Sequence, residues 1–191
     1  PAAVYGNAVK NAAEIAVEEV NAQGGIQFEL DFEDDAHDPE KAVTAYGVLN
    51  DWGMQLSLGT VTSAPGTAVS PLYQQDGIFA LTPSGSSPAV TFSDPDNKSG
   101  AFGNIFQMCF SDPNQGSASA DYIAAHGDLG SKIAIIYKND DNYSTGIRNT
   151  FVEEAAAKGL EVVYEGTFDD SNAQDFKVQL TQAQAEGAEI L

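Results

Sequence analysis

Two hydroxyl-rich segments hold the side chains best suited to chemistry in this chain. They are Thr60-Val61-Thr62-Ser63-Ala64-Pro65-Gly66 and Thr82-Pro83-Ser84-Gly85-Ser86-Ser87-Pro88, and neither contains lysine or arginine. Hydroxyls and open backbone amides in such loops suit the carboxylate of a small ligand. They suit phosphate less well, because neither loop has the GxxxxGK(S/T) or GxGxxG form. The same residue types also serve as plain helix caps, and the loops by themselves do not separate the two roles.

Other constellations carry less. Asp34-Asp35-Ala36-His37-Asp38 offers carboxylates and an imidazole to a divalent cation, but also reads as a strand end followed by a capped helix start. Ser63 with His37 and an aspartate suggests a triad, yet no GxSxG elbow supports it. Cys109 lies in an apolar stretch without a CxxC partner, as a buried thiol would. His126 precedes Gly127 at a helix end, and Asp140-Asp141 reads as a turn whose charge favours cations. The expectation is a binding protein without catalytic residues, metal or cofactor.

The elements that must position these loops alternate between two periods. Val9, Ala12, Ala13, Ala16 and Val20 form a helical stripe, closed by Gly24-Gly25. Phe28, Leu30 and Phe32 alternate with polar residues, as in a strand with one wet face. Asp38-Pro39 opens the next helix. The pattern continues with strands at 54–59, 78–81, 104–110, 132–137 and 160–165. Helices are predicted at 66–75, 117–126, 145–158 and 172–186, and a last strand starts at 188. Strands joined by helices imply parallel sheets covered on both faces, an α/β class. In such sheets ligands bind beyond the carboxyl ends of strands, where both hydroxyl-rich segments fall. The turn-rich run Ser111–Gly116 divides the chain into residues 1–110 and 111–191. Both ends look cut from a longer βα array, so the chain is expected to be part of a longer polypeptide.

Composition argues against several partners. The 191 residues include 28 Asp and Glu against 8 Lys and Arg, a net charge of −20. Nucleic acid and anionic membrane surfaces require clustered cations, so this excess argues against both. At 42% hydrophobic and 19% charged, the chain can bury a core and is no disordered acidic tail. The start Pro1-Ala2-Ala3 is no signal peptide. A single cysteine cannot form an internal disulfide.

Seven motifs occur in a shared order: Tyr5-Gly6; Val20-Asn21-Ala22-Gln23-Gly24-Gly25-Ile26; Asp34-Asp35 with Asp38-Pro39; Gly59 to Ser63; Gly77-Ile78 through Thr82-Pro83; Asp112-Pro113-Asn114-Gln115-Gly116; and Asn142-Tyr143-Ser144-Thr145-Gly146. In this the chain resembles, over nearly its whole length, the periplasmic substrate-binding proteins for leucine, isoleucine and valine that serve ABC importers. The resemblance implies the type I binding-protein fold, two Rossmann-like βα lobes with parallel sheets around a ligand cleft. Residues 1–110 would be the N-terminal lobe without its first strand, and 111–191 the hinge and first part of the C-terminal lobe.

It also implies roles. Ser63 would hold the ligand α-carboxylate, the Ser84 carbonyl would accept from the α-ammonium, and the Ser86 hydroxyl would contact the same head group. Tyr5 and Tyr143 would line the cleft from the two lobes, which close over the ligand by hinge motion. The disulfide that joins the positions of His37 and Thr62 in familiar members cannot form here. The acidic residue that completes ammonium recognition, and a further aromatic wall, would lie past Leu191. The implied protein is a monomeric, extracytoplasmic receptor that delivers a neutral amino acid to an ABC transporter permease. A sensory ectodomain of the same fold, or an enzyme on a doubly wound sheet, are the alternatives.

Overall fold

The computed structural model describes residues 2–191. The chain divides into two units, Pro1–Cys109 and Phe110–Leu191.

The first unit starts with helix α1 (Ala3–Ala22). Its inward row is Val9, Ala13 and Val17, one i, i+4 line, whereas Ala12, Ala16 and Val20 of the predicted stripe face outward. Asn21 then clasps Phe28 at two points, its Nδ2 donating to the Phe28 carbonyl and its Oδ1 accepting from the Phe28 amide, both at 2.8 Å. The predicted strand through Phe28, Leu30 and Phe32 carries no ladder. Alternation gives a segment two faces, but a strand also needs a neighbour, and none pairs with it among the described residues.

Helix α2 (Pro39–Trp52) begins as the sequence predicts: the Asp38 side chain accepts from the amides of Glu40 and Lys41, with Pro39 in the first turn. Strand β1 (Leu56–Ser57), helix α3 (Ser63–Asp76) and strand β2 (Phe79–Thr82) follow, and strand β5 (Ile105–Gln107) completes a parallel sheet in the order β1-β2-β5. Register places Ser57, Ala80 and Ile105 in one buried row. Around it pack Ala42, Tyr46, Met54, Val69, Tyr73 and Val90. The predicted strand over 104–110 shortens because β2 ends at Thr82, the partner of Gln107; Cys109 therefore lies past the strand and is only half-buried. Between β2 and β5, where no element is predicted, the chain forms a hairpin, β3 (Phe92–Asp94) with β4 (Ser99–Ala101). Its turn is tied by the Asp94 carboxylate, which accepts from Asn97 and Ser99.

In the second unit, helix α4 (Asp112–Ala125) replaces the predicted turn-rich break at 111–116. Asp112-Pro113 here opens a helix, because a proline in the first turn surrenders an amide that has no intrahelical partner anyway. Parallel strands β6 (Lys132–Lys138) and β7 (Glu161–Phe168) follow, separated by helix α5 (Asn142–Ala157). Helix α5 starts one turn earlier than predicted, since Asp141 accepts from the Ser144 amide as its cap. Helix α6 (Lys177–Ala185) starts late. Asp169 accepts from the amide and hydroxyl of Ser171 and holds that stretch as a turn. The core joins Ala120, Ile133, Phe151 and Ala155.

Candidate functional site

The loops after β1 and β2 are bound to each other by their own hydroxyls. Thr82, the last residue of β2, is fully buried. Its Oγ1 donates to the Thr60 carbonyl at 2.6 Å and accepts from the Gly85 amide at 2.8 Å. Ser84 donates to the Val61 carbonyl at 2.6 Å. From β5, the Gln107 amide nitrogen donates to the Gly85 carbonyl at 2.7 Å. A Cβ at Gly85 would lie 2.8 Å from Thr82 Oγ1, so only glycine allows this turn to close on the threonine.

Ser63 occupies the first turn of α3 rather than a loop, and is 3% exposed. Its Oγ accepts from the backbone amides of Ser86 and Ser87, each at 3.1 Å. A serine hydroxyl has two acceptor lone pairs and one proton. With both lone pairs engaged, the remaining capacity of Ser63 is to donate. Ser86 is also 3% exposed, and its hydroxyl has no hydrogen-bond partner among the described residues.

The helix end beside them is open. The N-cap residue Thr62 has the extended backbone of a cap but makes no side-chain cap bond. Pro65 has no N–H, and the Gly66 amide goes to the Thr62 carbonyl at 3.1 Å. The amides of Ser63 and Ala64 are thus the first-turn donors without an intrahelical acceptor, at the positive end of the helix dipole. The Thr62 hydroxyl is engaged elsewhere: it lies 2.8 Å from His37 Nδ1. The family resemblance already pairs the positions of His37 and Thr62, through a disulfide in familiar members, and here a hydrogen bond across 25 residues joins them instead. Thr82 and Ser87 lie in the hydroxyl-rich segment legible in the sequence, whereas their contacts, and the part played by Gln107, come only from the fold.

The structure therefore brings Ser63, Ser84 and Ser86 together. Ser84 spends its hydroxyl proton on the Val61 carbonyl, which leaves its side chain no donor for a ligand. Tyr5 lies in the first turn of α1 and is 63% exposed. Tyr143 lies in the first turn of α5, 39% exposed, with its hydroxyl 3.4 Å from Gln115 Oε1 as donor. With Phe110, Gln115, Ala118, Tyr122 and Ile123 it borders an open groove of about 790 Å³ within the second unit.

The acidic cluster before α2 is spent on backbone. Asp34 and Asp35 accept from the amides of Ala36 and His37 at 2.9 and 2.8 Å, which holds both residues at positive φ, 49° and 61°. The amides of Lys41 and Glu40 keep the Asp38 carboxyl below its usual range against the opposing effect of desolvation. His126 stacks on Tyr122 with ring centroids 4.1 Å apart, and its Nδ1 lies 2.7 Å from the Tyr122 carbonyl. No helix among the described residues is long and apolar enough to cross a membrane.

The chain is similar to a Leu/Ile/Val-binding protein homolog of Brucella melitensis, 29% identical over 194 residues, covering 100% of this chain and 50% of that protein. The chain spans about half the length of the curated relatives it matches. Among solved structures it is similar to a leucine-binding protein of Thermotoga maritima, with 26% identity, a TM-score of 0.81, and coverage of 96% of this chain and 50% of that one. A solute-binding protein of an R. palustris ABC transporter, solved in complex with benzoate, shares the fold at a TM-score of 0.83 and 20% identity, over 98% and 50% of the two chains. The model of one family, periplasmic binding protein, matches residues 1–191. With its parallel βα architecture and this match over its whole length, the chain belongs to the periplasmic binding protein family, in its type I fold.

Proposed function

We propose that this protein captures a small carboxylate-bearing solute, a branched-chain or other neutral amino acid, outside the cytoplasm and delivers it to an ABC transporter permease. One observation carries the reading: Ser63 Oγ accepts from the Ser86 and Ser87 amides, so its proton is left to donate beside the open amides of Ser63 and Ala64. Three donors without a lysine or arginine form a cradle for an acceptor of full or partial negative charge. The ligands named for two of the similar solved proteins, leucine in one case and benzoate in the other, differ in their apolar part and share a carboxylate.

In this reading the Ser84 carbonyl and the Ser86 hydroxyl take the ammonium end, and Tyr5 and Tyr143 contribute aromatic contacts on the strength of the family resemblance. Residues 1–110 form the N-terminal lobe and 111–191 begin the C-terminal lobe, in a monomeric protein. The ligand is released unchanged. The test is a thermal-shift screen of the intact protein against leucine, isoleucine, valine, alanine, leucinamide and benzoate. A ligand present at 100 times its Kd stabilises by about 2.7 kcal/mol. A rise with the amino acids and none with leucinamide is expected. Stabilisation by leucinamide as strong as by leucine, or consumption of the ligand, overturns the reading.

A further inference from the structure

We propose that His37 is a positioning residue of this site: by holding the Thr62 hydroxyl, it keeps the N-cap of α3 from closing on the Ala64 amide and leaves that amide for a ligand carboxylate. The ligand half of this statement rests on the function proposed above; the structural half does not.

Threonine in an N-cap position with extended backbone ordinarily accepts from the second or third amide of its helix. In α3 the third residue is Pro65, which has no N–H, so the Ala64 amide is the only partner such a cap could take. Thr62 has the backbone of a cap, φ −121° and ψ 158°, yet makes no cap bond. Its hydroxyl lies instead 2.8 Å from His37 Nδ1, and either tautomer keeps the pair together. The imidazole is held in place by its own loop. The His37 amide donates to Asp35 Oδ1 at 2.8 Å, and the Asp38 amide donates to the Asp35 carbonyl at 2.9 Å. His37 adopts φ 61°, a conformation costly for a side chain with a Cβ. The loop thus accepts strain while presenting a side chain that diverts the cap of the neighbouring helix.

The competition predicts an unusual rescue. His37→Gly suits φ 61° and removes the ring without straining the turn. The freed Thr62 hydroxyl then caps Ala64. Valine at position 62 cannot cap, so His37→Gly/Thr62→Val reopens the amide. Two readouts apply to the intact protein. Without ligand, hydrogen exchange at the Ala64 amide should slow roughly fivefold in His37→Gly, the worth of one cap bond, and return to the parent rate in the double variant. With leucine, His37→Gly should raise Kd roughly tenfold through the loss of one donor to a charged group, and the double variant should recover most of it. Unchanged exchange at Ala64 in His37→Gly, exchange that stays slow in the double variant, or leucine binding that is weakened in His37→Gly and not recovered in the double variant, overturns the proposal. If exchange follows the expected pattern while no variant binds an amino acid, His37 still controls the cap and the proposed ligand is what fails.

Discussion

Ser63→Ala removes one oxygen and strands two donors. The Ser63 hydroxyl accepts from the amides of Ser86 and Ser87, and all three residues are buried. Alanine fits the space but accepts nothing. Each buried amide left without a partner costs about 1–3 kcal/mol. Allowing for relaxation of the adjoining exposed Ser84, the pair should cost about 2–4 kcal/mol. Ser84→Ala is the internal control. It removes a hydroxyl that donates to one carbonyl, on an exposed residue where water can replace it, so its cost should stay below about 1 kcal/mol. Urea denaturation followed by the fluorescence of Trp52 measures both, since this is the only tryptophan and lies at the end of α2 in the first unit. At an m-value of about 1–3 kcal/mol/M, the Ser63→Ala midpoint should fall by about 1 M or more, well beyond the Ser84→Ala shift. Equal midpoints for the two variants would refute the claim that Ser63 organises the serine loop, and with it the claim that its proton must donate.

Three further outcomes follow from the same structure. Asp38→Asn keeps a capping oxygen but not the charge. Because the folded carboxyl titrates below its unfolded value, its contribution is present above the unfolded pKa and is lost as pH falls through the folded one; the variant should therefore show a shallower loss of melting temperature across that acid window. Gly116→Ala should destabilise the second unit by about 1–3 kcal/mol despite alanine's better helix propensity, since a Cβ there would lie 2.5 Å from the Ile147 carbonyl oxygen; a raised melting temperature contradicts this packing. Arg148→Ala removes a two-point ion pair with Glu165 on a partly exposed surface, and chemical denaturation should register a loss of no more than about 1 kcal/mol.

What could be read from the sequence was the order of elements and the site's raw material. Asp38-Pro39 and the 3.6 period after it give α2, and apolar runs bounded by glycine give β2 and β6. Boundaries failed where side chains compete with backbone. Asp169 and Ser171 delay α6, and Asp141 advances α5 so that Tyr143 lies on a helix. The Phe28–Phe32 alternation describes a segment's two faces, and pairing depends on a neighbour that its own residues do not specify. For the site, the two hydroxyl-rich loops were legible because residue type and position at strand ends were enough. The direction of each hydroxyl was not. That Ser63 spends both lone pairs on Ser86 and Ser87, and that Thr62 turns to His37, depends on contacts across 23 to 25 residues.

The central claim is that the donors at the start of α3 select a carboxylate. Isothermal titration of the intact protein with leucine and then with leucinamide tests it most directly, because the two ligands differ only at that group. Leucine should bind saturably, and leucinamide with a Kd at least roughly a hundredfold weaker, as loss of the charged acceptor from several donors requires. Equal affinity for the two would contradict it.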